Sequence, residues 1–384
     1  MVAIARRLPP GRYRHFKGRE YEVIGVAVHS ESEEALVVYR PLYGSYQLMV
    51  RPAAMFLEVV TRDGVHTPRF TYLGPTTMNK LAPPQWRAAR HYLLHHARPL
   101  EAVRYRYHFE GGKAGAVLAA LATFRNDDGG FGKALEPDLR TSASSVLATS
   151  VAFQVLEEVD APAEHPLVQG GLAYLLASYD STTQRWPIIP PEAEAAPRAF
   201  WWAADGLEAR FGHFALNPRA EVLGIFWRYA DPSRIPWLEH VTARVVEQIE
   251  QAVVPLVGND LLCVLRLAAT PQMPAAWRAR LDARLRQALT TAVAATPDRW
   301  GDYGLRPLEV APTPAAPYAP LFAEAIQANL DYLIDTQRPD GAWSPTWSWR
   351  SLDPSAWVRA EREWQGVLTL AALRALDAWG RVAR

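Results

Sequence analysis

A polar turn that closes on an aromatic residue recurs along most of this sequence, and it constrains the fold more than any other feature. Residues 126–131 and 337–343 carry the clearest copies, each with an Asp-Gly step inside the turn. Related turns occupy residues 180–186, 231–237 and 297–300. The closing aromatic residues lie about fifty residues apart, a spacing that accommodates two helices and two loops in each unit.

The segments between these turns are typical of helices. From residue 86 onward Ala, Leu and Arg dominate, and apolar residues recur at helical spacing, as in Leu281, Leu285 and Leu289. Residues 86–384 have room for about five or six helix pairs, which stack either into an open solenoid or into a closed ring. Six pairs close an (α/α)6 toroid with inner helices around a central cavity. This mainly α architecture is the fold that we expect.

The first 73 residues have a different composition and residue pattern. Their β-branched and aromatic residues, with period-two stretches, predict short strands. The predicted strands cover residues 20–29, 35–41, 46–51, 55–60 and 67–73. Five strands in about seventy residues favour a small SH3-like β-barrel domain, which leaves no exposed sheet edge. Residues 74–85 have turn formers at both ends and are the predicted linker, so we expect domains at 1–73 and 86–384.

Composition excludes several classes of function. The 41 Lys and Arg residues nearly balance the 40 Asp and Glu residues, so a net charge of +1 gives no field that would attract nucleic acid. We find neither a signal-peptide pattern nor an apolar run long enough for a membrane span, so we expect a cytoplasmic protein. One Cys excludes a zinc site built on several thiolates, and we assign no metal. The sequence leaves the cofactor and the oligomeric state unknown.

Several segments of the helical region carry a family resemblance. Residues 328–343 resemble the QW repeat of the squalene and terpenoid cyclases, although the leading basic residue of that pattern is absent. Residues 127–132 are a weaker copy, and residues 363–370 resemble the closing helix of the cyclase and protein prenyltransferase toroid. The resemblance implies a terpenoid cyclase-like or prenyltransferase-like α/α toroid over residues 86–384.

The N-terminal region resembles a small bacterial domain of unknown function. The resemblance rests on the segment YRHFKG at residues 13–18 and on further matches along residues 11–73. That family brings no known activity with it.

The motifs behind the activities best known for the toroid are missing. The Asp-x-Asp-Asp motif of class II cyclases does not occur, and in the Asp-Asp-x-x-Asp pattern of class I enzymes the last position is Phe131. The zinc site implied by the prenyltransferases would need Asp260, Cys263 and His240. Apolar neighbours on both sides of Cys263 favour a buried thiol that packs as a small hydrophobe instead. The resemblance therefore implies the fold and leaves the reaction open.

The loop after the first turn carries the candidate catalytic residues. Pro137 favours an extended backbone at Glu136, and in an extended segment Glu136, Asp138 and Arg140 project to the same side. We expect Glu136 and Asp138 to act as a catalytic acid pair with Asp128 in support, and Arg140 to bind substrate. The alternative is an ion pair between Arg140 and Asp138 that ties one turn to its neighbour.

The Trp residues fall into two groups. Trp300 and Trp343 lie at repeat turns and are expected to staple helix pairs through indole hydrogen bonds to loop carbonyl groups. Four others lie outside the repeat positions and are the candidate substrate-binding residues: Trp201, Trp202, Trp347 and Trp349. The alternative for these four is the same structural role.

These patterns lead to two hypotheses. In the first, the protein is an enzyme whose central cavity binds or processes an isoprenoid-like or glycan small molecule. In the second, it is a non-catalytic binding or scaffold protein, with the β-barrel as adaptor and side chains filling the cavity. The sequence identifies neither the substrate nor the reaction.

Overall fold

A small β-sheet domain forms the N-terminal part of the protein in the computed structural model. The structure describes residues 8–43, 47–62, 64–74, 78–207, 210, 216–252, 256 and 258–383. The strands are β1 (Gly11–His15), β2 (Glu20–Val28), β3 (Ala35–Pro41), β4 (Met49–Pro52), β5 (Val59–Arg62), β6 (Val65–Pro68) and β7 (Phe70–Gly74). A helical turn, α1 (Ala53–Phe56), separates β4 from β5. Tyr46 of one predicted strand and residues 75–77 of the predicted linker lie outside the described residues.

The strands form an open antiparallel sheet. Within the described residues its order is β4-β3-β2-β1-β7, and β5 pairs with β6 in a separate hairpin. β4 and β7 are the two edges, so these pairings do not form the closed SH3-like barrel expected from the sequence. The register places Tyr13 opposite Tyr21 and Val23 opposite Tyr39, which puts these side chains on shared faces of the sheet.

The core of the sheet domain explains one wrong strand prediction. Alternate residues of the strands are buried, including Tyr13 in β1 and both Val37 and Tyr39 in β3. Phe56 lies in α1 rather than in a strand, and its ring stacks on Phe70 of β7 at a centroid distance of 3.9 Å. The strand expected at 55–60 is therefore wrong at its start, because a helical turn brings Phe56 over the sheet.

The rest of the chain is mainly helical, and helices make up about half of all residues. The helices are α2 (Pro83–His95), α3 (Pro99–Phe109), α4 (Ala114–Ala122), α5 (Val146–Glu158), α6 (Pro166–Ala177), α7 (Leu216–Tyr229), α8 (Leu238–Gln251), α9 (Gly258–Ala268), α10 (Ala275–Ala292), α11 (Pro307–Val310), α12 (Ala323–Asp335) and α13 (Pro354–Ala378). Short 3-10 segments cover Pro191–Ala195, Phe200–Trp202, Pro232–Arg234, Pro297–Arg299 and Ala319–Phe322. In the part of the chain that the structure describes, we find no helix with the length and apolar character of a membrane span.

The first and last helices of this region pack together. α13 contacts both α2 and α3. Beside this contact Leu81 forms a parallel bridge with Val382, and Gln337 Nε2 donates a hydrogen bond to Gln85 O at 3.0 Å. One hydrophobic core includes side chains from Leu81 to Leu376. The first and last helices of this region therefore pack into the same hydrophobic core as the helices between them.

Two of the predicted turns share the same backbone hydrogen bonds. The Gly129 N–H donates to Asn126 O at 3.1 Å, and the Gly341 N–H donates to Arg338 O at 2.9 Å. Both glycines are left-handed, with φ of 88° and 92°. This conformation carries a penalty for residues with a Cβ atom, which explains Gly at both positions.

Trp300 and Trp343 both form the indole hydrogen bonds expected of them, although the acceptor for Trp343 lies in α12 and not in a loop. Trp300 Nε1 donates to Ala294 O at 2.6 Å, and Trp343 Nε1 donates to Leu333 O at 2.7 Å. Both indoles are buried, so each bond satisfies a donor that has left water.

The turn at 231–237 differs from the other four predicted turns. The others each follow an even-numbered helix, whereas this turn joins α7 to α8. Its closing residue, Trp237, stacks on Tyr179 at a centroid distance of 4.1 Å. Trp237 therefore supports the neighbouring turn at 180–186 and does not mark an equivalent position of the repeat.

Candidate functional site

The loop between α4 and α5 is fixed in place by the half-buried cation Arg98. Arg98 donates to the carbonyl oxygens of Ala134 at 3.1 Å and Leu135 at 3.0 Å. The same guanidinium forms two hydrogen bonds of 2.8 Å with Glu101, which is fully buried. Because one charged network fixes these two carbonyl groups, the next residues of the loop start from a defined position.

Asp138 lies among indole donors. It is 2% exposed and accepts hydrogen bonds from Trp349 Nε1 at 2.6 Å and Trp347 Nε1 at 3.0 Å. Burial raises the pKa of Asp138, whereas the N–H groups of Trp349, Trp364 and Trp347 oppose that rise. An indole can donate but cannot accept, so these contacts favour the ionised carboxylate.

Glu136 lies in the opposite kind of environment. It is 7% exposed, and its Oε2 atom is buried with no hydrogen-bond partner. Burial raises the pKa of Glu136 well above its usual value, and the negative charge of Asp138 raises it further. Burial thus raises the pKa of both carboxyl groups, but only for Glu136 well above its usual value. A carboxyl group that holds its proton beside one that ionises more easily is an arrangement suited to proton transfer.

Arg140 does not pair with Asp138. Its two terminal nitrogens donate to Glu363 of α13 at 2.7 and 3.1 Å, and Nη1 also donates to Pro137 O at 3.2 Å. The alternative suggested by the sequence, an Arg140–Asp138 ion pair, is therefore wrong about the partner. Glu363 was not predicted for the site, because nothing in the local sequence connects it to a loop more than two hundred residues away.

The four candidate Trp residues belong to one apolar cluster. Trp202 and Trp349 are buried in it beside Leu139, and Trp201 and Trp347 pack against it half-buried. The structure thus places the four indoles in one cluster with Leu139 of the loop that carries Glu136 and Asp138, although it also gives them packing roles.

An aromatic wall leads outward from this cluster. The Trp347 ring makes edge contacts with Trp364 at 5.1 Å and with Tyr303 at 5.9 Å between centroids. Tyr303 is 64% exposed, and it is a residue that sequence reasoning missed. The wall therefore extends from the indoles around Asp138 to the solvent.

Asp128 has a different position. It accepts hydrogen bonds from the Gly130 N–H at 2.9 Å and from Ser144 Oγ at 2.8 Å. It also lines a surface cleft of about 480 Å³ together with Asp127 and Lys133. These bonds assign Asp128 to the turn, and its expected support of the acid pair stays a prediction.

Cys263 is buried as expected, but its surroundings are not purely apolar. Its Sγ lies 3.6 Å from Glu221 Oε2 and 3.7 Å from Asn217 Oδ1. Burial raises the pKa of the Cys263 thiol, which keeps it protonated. Among the described residues we find no cluster of three or more His, Cys, Asp or Glu side chains able to hold a metal ion.

Comparison with known proteins identifies the N-terminal domain. Residues 11–72 match the family described as "Protein of unknown function (DUF1653)". A crystal structure of a DUF1653 protein from Bordetella bronchiseptica is 35% identical, covering 19% of this chain and 96% of that chain, with a TM-score of 0.18. No curated protein matches the chain. Through residues 11–72, this chain belongs to the DUF1653 family of proteins of unknown function.

Proposed function

We propose that this chain is an enzyme in which Glu136 donates a proton to a glycan, with Asp138 as the accompanying carboxylate. In this proposal residues 1–73 form the sheet domain, residues 74–85 the linker, and residues 86–384 an α/α toroid. The observation that carries the proposal is the buried, unpartnered Oε2 of Glu136 close to Asp138. A buried carboxyl oxygen without a hydrogen-bond partner is costly to keep unless it serves a reaction or a ligand.

Two equivalent glycine contacts support the closure of the helical region into the ring of a toroid. A Cβ on Gly129 would lie 2.5 Å from the carbonyl oxygen of Gly170 in α6. A Cβ on Gly341 would lie 2.2 Å from the carbonyl carbon of Ala88 in α2. The turn before α5 packs on α6, which is the helix that follows α5. The turn before α13 packs on α2 in the same way, so α2 occupies the position after α13 in the proposed ring.

This relation assigns each helix to one of two layers. The outer layer would contain α2, α4, α6, α8, α10 and α12. The inner layer would contain α3, α5, α7, α9 and α13, with the short α11 at the sixth position. All loops from an outer to an inner helix then lie at one end, and the acid pair and aromatic wall belong to that end.

The proposed reaction is hydrolysis of a glycosidic bond. Glu136 gives its proton to the bridging oxygen as the bond from carbon to that oxygen breaks, and the electron pair stays on the leaving oxygen. Asp138 stabilises the positive charge that develops on the sugar ring. Water then adds to the sugar carbon, and the proton that it releases returns to Glu136.

A glycan fits the aromatic wall better than an isoprenoid does. Sugar rings stack their C–H faces on aromatic side chains such as Trp347 and Tyr303. Their hydroxyl groups also form hydrogen bonds with polar groups such as the Asp138 carboxylate and the indole N–H groups around it. A hydrocarbon chain offers neither donor nor acceptor to such groups.

The test is a turnover assay on the full-length chain with a panel of oligosaccharides, measuring released reducing ends. Glu136→Gln keeps the shape of the side chain but removes the proton, so we expect a loss of about 10²–10⁴-fold in kcat. Asp138→Asn is also expected to reduce kcat. Glu309→Gln is the matched control, since Glu309 caps α11 by accepting from the Arg306 N–H and lies outside the acid pair.

Three outcomes would contradict this assignment. Full activity in Glu136→Gln would remove the proton donor from the mechanism. Turnover of prenyl diphosphates in place of oligosaccharides would favour the isoprenoid hypothesis. Absence of turnover on both substrate classes would favour the non-catalytic scaffold, with the sheet domain as adaptor.

A further inference from the structure

Arg219 is a buried cation in the first turn of α7. It is 4% exposed, and its Nε atom is buried with no hydrogen-bond partner. Its Nη1 lies 3.5 Å from Gln248 Oε1, at the outer limit of a hydrogen bond. A guanidinium has five N–H donors, so most of its hydrogen-bonding capacity is not used by these contacts.

Other arginines with little exposure are paired with carboxylates: Arg381 is buried, and the side chains of Arg98 and Arg104 are 11% and 15% exposed. Arg98 pairs with Glu101 at 2.8 Å, Arg104 pairs with Glu158 at 2.7 Å, and Arg381 pairs with Asp331. Such pairing is the rule, because an uncompensated buried charge is strongly unfavourable. Among the described residues no carboxylate forms an ion pair with Arg219, which sets it apart from these three.

The surroundings of Arg219 add positive charge. Burial and the nearby charges of Arg185 and Arg244 together lower the pKa of Arg219 to about 10, although Tyr179 acts in the opposite direction. The acidic side chain of the adjoining turn, Asp180, is exposed and already caps the Thr182 N–H at 2.8 Å.

Three elements bring polar groups together here. α8 supplies Arg244 and, one helical turn later, Gln248. The turn at 180–185 supplies Gln184, which accepts a hydrogen bond from Arg244 Nη1 at 3.0 Å. α7 supplies Arg219 itself. The cluster therefore has both a buried and an exposed guanidinium, so one end of it is open to solvent.

We propose that Arg219 and Arg244, with Gln248 beside them, form a binding site for a phosphate group. A dianion matches the local excess of positive charge, and its oxygens would accept from the unused guanidinium donors. The phosphate could belong to free inorganic phosphate or to a phosphorylated small molecule. The site does not depend on the acid pair, so it goes beyond the proposed glycan chemistry.

The test measures thermal unfolding and heat of binding of the full chain as inorganic phosphate replaces chloride at constant ionic strength. We expect Tm to rise steadily with phosphate concentration, because a ligand of the folded state stabilises it by mass action. Arg219→Met should abolish this rise, yet be at least as stable as the original protein without phosphate, since it removes a buried charge. Arg244→Gln should weaken phosphate binding by about tenfold.

Arg280→Gln is the control, because it removes one positive charge from an exposed pair with Glu250 and should leave the phosphate response unchanged. The proposal is overturned if phosphate gives no more stabilisation than chloride. It is also overturned if Arg219→Met keeps the response. Should that variant fail to fold, an unchanged response in Arg244→Gln would have the same meaning. A phosphorylated sugar binding more tightly than free phosphate would identify the source of the group.

Discussion

The first and last Asp-Gly turns of the helical region have the same construction. Asp128 accepts from the Gly130 N–H at 2.9 Å, and Asp340 accepts from the Ala342 N–H at 3.1 Å. In both turns the glycine after the Asp is left-handed. The two turns lie more than two hundred residues apart, so the repeat reproduces a geometry and not merely a residue pattern.

The loops that follow these turns differ in chemistry. The first loop supplies the carboxyl groups of Glu136 and Asp138, whereas the last supplies the indoles of Trp347 and Trp349. The two loops meet where those indoles donate to Asp138. The comparison teaches that the shared turns fix where each loop begins, while the residues outside the repeat determine what the loops do chemically.

The largest expected effect comes from adding a methyl group at either shared glycine. Gly129→Ala and Gly341→Ala should each lower the free energy of unfolding by about 3 kcal/mol or more, because the new Cβ meets backbone atoms of a neighbouring helix. Gly111→Ala is the control, since Gly111 is also left-handed but has no atom within 4 Å of the new Cβ. It should lose only about 1–2 kcal/mol. Urea unfolding of the three variants measures these differences.

The result also tests whether the two turns are equivalent. Comparable losses in Gly129→Ala and Gly341→Ala would sharpen the comparison. A loss in Gly341→Ala no larger than that of Gly111→Ala would break it, because α2 would then not press on the last turn as α6 presses on the first.

The next expected effect is a change in how the stability of the protein depends on pH, and it comes from Glu136 in the first loop. Burial raises the folded-state pKa of Glu136, so at intermediate pH the folded protein holds a proton that the unfolded chain has released. Stability should therefore fall as pH rises from the unfolded pKa of about 4.3 toward the folded pKa. The fall in the free energy of unfolding amounts to about 1.4 kcal/mol for each unit between the two pKa values. Glu136→Gln should remove it. Urea unfolding at a series of pH values measures it.

Glu158 provides the opposite control. Burial alone would raise the pKa of Glu158, but hydrogen bonds from Arg104 and His108 lower it well below its usual value. The stability that Glu158 contributes is present above its unfolded pKa and is lost as pH falls, so Glu158→Gln should be most harmful at neutral pH. If Glu136→Gln behaved in the same way as Glu158→Gln, the contrast between the two environments would be wrong.

Sequence patterns were sufficient for features set by local spacing. The helical texture and the staples at Trp300 and Trp343 follow from periodicity and from one repeated turn, both of which a single sequence displays. β1 was missed because Gly11–His15 begins with Gly and carries two arginines. The sheet pairing with β7 that makes it a strand is a contact between distant segments.

The site was predictable only in part, for the same reason. Glu136 and Asp138 are two residues apart, so their proximity could be inferred from the chain itself. The indole donors to Asp138 are about two hundred residues away, and Arg140 has its partner in α13. Asp128 was grouped with the acids by sequence proximity, but the turn uses its carboxylate for a backbone N–H and a Ser hydroxyl. Such pairings depend on which helices become neighbours.

The smallest expected effect comes from two Thr residues that lie in the helices after the shared turns and bind those turns. The Phe131 N–H donates to Thr149 Oγ1 at 3.0 Å, and the Trp343 N–H donates to Thr369 Oγ1 at 3.1 Å. Both Thr side chains are fully buried, so Thr→Val keeps the packing but leaves a buried N–H unsatisfied. Thr149→Val and Thr369→Val should each lower the free energy of unfolding by about 1–3 kcal/mol.

Equal losses in the two Thr→Val variants would extend the equivalence from the turns to α5 and α13, since each Thr ties its helix to the preceding turn. A loss confined to one variant would show that the matching distances conceal different energetics. Thr270→Val is the control, because that hydroxyl is also buried but donates to Arg266 O at 3.1 Å and, among the described residues, accepts from no turn N–H. It should therefore change stability least of the three, and the difference isolates what the bond between helix and turn contributes.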